Sequence, residues 1–155
     1  MLCRAALALT VGGLMLTPAL AQAPRQQYGK WEYNAEKKYH YAKYEYKADP
    51  KAATYTSHQY VLYYKDDPKI NNWVYYYNPT TEKVWARYPT VNHPTYGKDV
   101  KAGKEMWSIL PKEKQAKNVY DIPTEAYPAP SAKVCPTVPE CKDGCQIALP
   151  PKDLP

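Results

Sequence analysis

The chain has no phenylalanine, only three histidines and only six glycines. After residue 23 it holds four Leu, four Ile and eight Val. So small an aliphatic complement normally leaves too little apolar surface to offset the entropy of folding. It excludes a conventional core of Leu, Ile and Val. Catalytic signatures are absent too: there is no Gly-x-Ser-x-Gly, no His-Glu-x-x-His, no phosphate loop and no dinucleotide fingerprint. His40, His58 and His93 are far apart, and Asp66 and Asp67 stand beside Pro68 in turn-forming sequence. Nothing brings together a nucleophile, a base and an oxyanion donor. The expectation is a protein that is not an enzyme and carries neither cofactor nor metal.

What the chain does have is 17 tyrosines, four tryptophans and 16 prolines. Sixteen prolines argue against a helical protein. Every tyrosine follows residue 23. A tyrosine supplies a large ring to bury but needs a partner for its hydroxyl. A tyrosine-built core is therefore expected to be thin and sheet-like, with hydroxyls at its edges, and the fold class to be mostly β.

Residues 1–23 read as an export signal. Arg4 gives the start one positive charge, residues 5–20 are apolar or small, and Ala19-Leu20-Ala21 and Ala21-Gln22-Ala23 are small-x-small cleavage sites. The apolar run falls short of the ~20 residues that a membrane span needs. A retained anchor is the alternative. Export to the periplasm or the exterior follows, with no span after cleavage. The formal charge of +6 includes Arg4, and the remaining excess is mostly Lys mixed with Glu and Asp. That pattern is a solvated surface, and no nucleic-acid partner is expected.

Three regions follow the signal. Residues 24–57 interleave Tyr28, Tyr33, Tyr39, Tyr41, Tyr44 and Tyr46 with Lys, Glu, Gln and Ala. Without aliphatic company they read as a low-complexity flexible arm, with a strand pairing over residues 39–46 as the alternative. Residues 58–110 carry the fold signal. His-Gln-Tyr-Val-Leu-Tyr-Tyr (58–64), Asn-Trp-Val-Tyr-Tyr-Tyr (72–77) and Val-Trp-Ala-Arg-Tyr (84–88) are aromatic and β-branched runs separated by turn formers. They predict a three-stranded antiparallel meander, with residues 105–110 returning as a fourth strand. Residues 111–155 form a Pro-rich irregular tail, placed over the aromatic sheet face as an intramolecular lid.

Strict alternation puts Trp73, Tyr75 and Tyr77 on one face of their strand, and Trp85 with Arg87 on one face of the next. These five residues are the candidate aromatic binding surface. The alternative role for Trp73, Tyr75 and Trp85 is plain core.

Two resemblances arise. Tyr75-Tyr76-Tyr77-Asn78-Pro79-Thr80-Thr81, with Trp85 and Pro89, resembles the second half of a WW domain, although the Asn-to-Trp interval is one residue short and no early Trp precedes it. That resemblance implies a meander whose rings grip proline-rich ligands. Residues 58–155 are also similar to small exported Tyr-rich proteins of planctomycete-type bacteria. The likeness rests on residues 75–79, on Trp85-Ala86-Arg87, on Ile122-Pro123-Thr124-Glu125-Ala126-Tyr127-Pro128 and on Pro150-Pro151-Lys152-Asp153-Leu154-Pro155. It implies export and this architecture, and no activity.

Cys135, Cys141 and Cys145 are the disulfide candidates. Either Cys141–Cys145 or Cys135–Cys141 satisfies the spacing, and the odd thiol allows a disulfide-linked homodimer. Cys-x5-Cys-x3-Cys matches no zinc pattern. The expected function is an exported structural or interaction protein of the cell envelope or exterior; the sequence does not fix its partner, and an envelope polymer, a glycan and a proline-rich peptide are the candidates. The alternative is an aromatic-platform module that binds glycan or proline-rich peptide.

Overall fold

The computed structural model describes residues 25–55, 57–134, 136–138, 141 and 144–155. The expected export signal (residues 1–23) and Cys135 lie outside them. The protein is mostly β. Its strands are β1 (Gln26–Tyr28), β2 (Glu32–Asn34), β3 (Tyr39–Tyr46), β4 (Ser57–Tyr63), β5 (Trp73–Asn78), β6 (Lys83–Pro89) and β7 (Ser108–Ile109). They form one seven-stranded sheet in the order β1-β3-β4-β5-β6-β7, with β2 also paired to β3. Every pairing is antiparallel. One short helix, α1 (Gly97–Lys101), lies between β6 and β7.

The meander forms as expected, β7 included, but the sheet has more than the three or four strands predicted. The extra strands come from the supposed arm. β3 pairs with β4 from His40↔Tyr63 to Tyr46↔Ser57, and Ala42, Tyr44 and Tyr46 are fully buried. Composition misled because tyrosine replaces the missing aliphatics. Each buried ring contributes on the order of 2 kcal/mol of transfer free energy. The hydroxyls are also satisfied: the Tyr44 hydroxyl donates to Gln26 Oε1, and that of Tyr28 donates to the Ala148 carbonyl at 2.7 Å.

Turn chemistry fixes the register. Asn78 Oδ1 accepts from the backbone N–H groups of Thr80 and Thr81 at 2.8 and 3.4 Å, which closes the β5–β6 turn. Asp67 Oδ1 accepts from Lys69 N at 2.9 Å in the β4–β5 loop. Past the turn, β6 bulges. Tyr76 pairs with Ala86 but Tyr77 pairs with Val84, which leaves Trp85 without an opposite residue.

Both faces of the sheet are partly covered by chain that follows it. On the first face Tyr44, Tyr46, Val61, Val74, Tyr76, Trp85 and Tyr88 pack beneath Met106, Trp107, Val138, Cys141, Cys145 and Ile147. On the second, Leu62, Tyr64, Tyr75 and Val84 meet Leu110, Val119, Ile122 and Tyr127. Residues 112–126 contribute three-residue 3₁₀ turns (Lys112–Lys114, Val119–Asp121, Thr124–Ala126) and one bridge, from Ala116 to Val84. The last described segment is fastened to β1 by side chains: Gln26 Nε2 donates to the Gln146 carbonyl at 2.6 Å, and Gln26 Oε1 accepts from Ala148 N at 2.8 Å.

Candidate ligand-binding cleft

The bulge decides which predicted site residues meet. Alternation holds in β5, so Trp73, Tyr75 and Tyr77 share the second face with Arg87. Trp85 does not join them: the register shift turns its indole to the first face, where it packs 5.8 Å from the Tyr76 ring and is 6% exposed. The five predicted residues therefore do not form one surface.

The chain fills one end of the second face itself. The Arg87 guanidinium lies 3.9 Å from the centroid of Trp73 and 4.2 Å from that of Tyr127. It is a cation held between two rings. Arg87 Nε also donates to Ser108 Oγ at 3.4 Å, and Ser108 Oγ donates to the Pro128 carbonyl at 2.5 Å. Burial, ahead of the opposing influence of Tyr75 and Tyr127, lowers the Arg87 pKa. Tyr127 in turn meets the Tyr75 ring at 6.3 Å. This end is closed by residues 122–128, the Ile-Pro-x-x-x-Tyr-Pro segment.

The other end is open. A cleft of about 660 Å³ is lined by Tyr39 and Tyr41 of β3, Tyr60 and Leu62 of β4, Tyr64, Tyr77 of β5 and Tyr120. Period-two spacing puts Tyr39 with Tyr41, and Tyr60 with Leu62 and Tyr64, on one side of adjacent strands. The antiparallel register sets Tyr41 opposite Leu62 and Tyr60 opposite Tyr77. Ring contacts run without a break: Tyr77–Tyr60 at 6.3 Å, Tyr60–Tyr41 at 5.9 Å, Tyr41–Tyr39 at 6.3 Å, Tyr39–Tyr64 at 5.4 Å and Tyr64–Tyr120 at 5.6 Å. Asn34, Lys37, Lys117 and Asn118 complete the rim.

Three carboxylates orient this rim. The Tyr41 hydroxyl donates to Glu32 at 2.5 Å, and that of Tyr120 donates to Asp67 at 2.8 Å. Lys117 pairs with Glu82 at 2.5 Å. The Glu32 bond raises the Tyr41 pKa. Burial and then Asp67 push Tyr120 up to about 12, and burial raises Tyr39, Tyr64 and Tyr77. At neutral pH these five tyrosines are protonated; Tyr41 and Tyr120 give their protons to Glu32 and Asp67 and offer a ligand acceptor oxygens, while the hydroxyls of Tyr39, Tyr64 and Tyr77 can donate as well as accept. Lys117 is paired with Glu82, and Glu32 and Asp67, bound to lining tyrosines, offset the charge of Lys37 at the rim.

Among the described residues no group of three or more His, Cys, Asp or Glu could hold a metal ion, and no helix is long and apolar enough to cross a membrane. Cys141 and Cys145 are bonded, with Cα atoms 5.9 Å apart. The intervening turn uses Gly144 at φ +68°, a conformation suited to glycine. Of the two pairings open to the sequence, this is the one formed. No protein-family model, no curated protein and no solved structure matches the chain. The cleft must therefore be read from its own chemistry. Tyr39, Tyr41, Tyr60, Tyr64 and Tyr120 were outside the predicted surface. The alternation of Tyr39 with Tyr41, and of Tyr60 with Tyr64, was the signal for four of them.

Proposed function

We propose that this is an exported, non-catalytic binding protein that holds an uncharged glycan chain in the tyrosine cleft. The supporting observation is the unbroken band of rings from Tyr77 to Tyr120 along an open cleft. Sugar rings present C–H faces that stack on aromatic faces, and hydroxyls that pair with amides and phenols. The cleft offers both, through its tyrosines and through Asn34 and Asn118. The balanced rim favours a neutral polymer over an acidic one. A WW-like grip on proline is disfavoured, because Trp85 and Tyr75 are 6% and 2% exposed. Export rests on residues 1–23, and the Cys141–Cys145 bond suits an oxidising compartment. An envelope or matrix polymer is the natural partner in that setting.

Calorimetric titration with neutral oligosaccharides (cello-, xylo- and chito-series) tests the proposal. Saturable binding is expected, and Tyr60→Ala or Tyr77→Ala should weaken it by about tenfold, or ~1.4 kcal/mol each. Saturable binding of a proline-rich peptide, with no response to any glycan, would overturn the proposal.

A further inference from the structure

A second cleft lies away from the tyrosines. It has a volume of about 520 Å³ and sits between the end of β6, α1 and the last residues of the chain. That volume is in the range of sites for small organic ligands, roughly 300–1,000 Å³. Val74, Val91, Val100, Leu149 and Leu154 give it apolar walls. Val91 and Leu149 are each 39% exposed, among the few large apolar side chains in the described residues that are well exposed.

Its polar groups all favour an anion. Lys101, Lys104 and Lys152 line it, and no Asp or Glu does. Lys104 is paired with Asp99 at 2.8 Å, while Lys101 and Lys152 have no ion pair among the described residues. The third feature is Thr90, which lines the same cleft at 4% exposure. Its backbone is satisfied, with N–H donating to the Asn72 carbonyl at 2.8 Å and C=O accepting from His93 N at 3.0 Å. Its hydroxyl has no partner among the described residues. Leaving a buried hydroxyl unpaired costs on the order of 1–3 kcal/mol, a cost that a bound acceptor removes.

We propose that this cleft binds a single-chain aliphatic carboxylate. The alkyl body lies against Val74, Val91, Val100 and Leu149, and the carboxylate takes the Thr90 hydroxyl and the charges of Lys101 and Lys152. This site is independent of the tyrosine cleft and of the glycan reading.

The test is calorimetry on the purified protein with decanoate kept below its micelle concentration, with decyltrimethylammonium as the cationic counterpart. Decanoate should bind saturably and the cation should not. Lys101→Glu with Lys152→Glu, both exposed positions, should weaken decanoate about tenfold. Thr90→Val should weaken it several-fold, and Tyr60→Ala should leave it unchanged. Circular dichroism checks that each variant is folded. Four outcomes would overturn the proposal: no saturation, equal affinity for the cation, unchanged affinity in the lysine variant, or binding only to vesicles of phosphatidylglycerol.

Discussion

The ring of Tyr127 lies 4.2 Å from the guanidinium of Arg87 and closes one end of the sheet's second face. Its hydroxyl, however, has no partner among the described residues. The ring and the oxygen should therefore respond oppositely to substitution. Tyr127→Phe is expected to be neutral or to stabilise by up to ~1 kcal/mol, because it removes a desolvated hydroxyl. Tyr127→Ala should cost ~3–5 kcal/mol through the lost packing. Urea denaturation of both variants decides this, and a Phe variant clearly less stable than the parent would refute it.

His93 sits against the same clamp, its ring 4.5 Å from that of Trp73. Its Nδ1 accepts from Thr95 N and Tyr96 N at 3.1 and 3.2 Å, which requires that nitrogen to be unprotonated. Burial, then the Arg87 charge, lowers its pKa below the ordinary histidine value of 6.5. The unfolded chain thus binds the proton more readily. The stability from neutral His93 is present above pH 6.5 and is lost as pH falls through the folded pKa. An NMR titration of the imidazole should show a midpoint below 6.5 that rises towards it in Arg87→Gln. An unmoved midpoint would remove Arg87 as a cause.

Gly97 opens α1 where the chain folds back on itself. A Cβ there would lie 2.4 Å from the Val91 carbonyl oxygen, and a backbone oxygen cannot swing aside as a side chain can. Gly97→Ala is expected to cost ~1–3 kcal/mol by overpacking. Thermal unfolding measures the loss, and a variant as stable as the parent would mean that this loop yields freely.

The Cys141–Cys145 bond closes a short loop on the first face. Cys141→Ser with Cys145→Ser should lower stability by ~2 kcal/mol on the chain-entropy estimate. Glycan affinity should be unchanged, since the tyrosine cleft is on the opposite face. Denaturation and titration of the same variant separate the two effects, and a collapse of binding without unfolding would link the faces.

How far the sequence could be read follows from two physical facts. The strands of the meander announce themselves through Trp73 to Tyr77 and Val84 to Tyr88, and Asn78 announces their turn. β3 was legible only as the alternative to a flexible arm, because tyrosine among lysines reads as polar, although Tyr44 and Tyr46 are wholly buried. Burial there depends on partners distant in sequence, such as Gln26 and Ala148, which local composition does not reveal. The candidate surface failed at Trp85 for a different reason. Period-two reasoning assumes an unbroken ladder, and the single unpaired residue of the bulge inverts every assignment across it. Lys117 and Tyr120 reach the cleft only because residues 110–127 cross the second face, a path that local composition does not reveal.

The fastening of residues 146–148 to Gln26 sets an order of events in the chain's birth. β1 and the segment that completes it are separated by about 120 residues. Contacts that distant form late and slow folding. During synthesis the part of the first face beneath Val138, Cys141, Cys145 and Ile147 stays uncovered until almost the whole polypeptide has emerged. On the export proposed above, a chain handed to a channel at that stage would still be unfolded and able to thread.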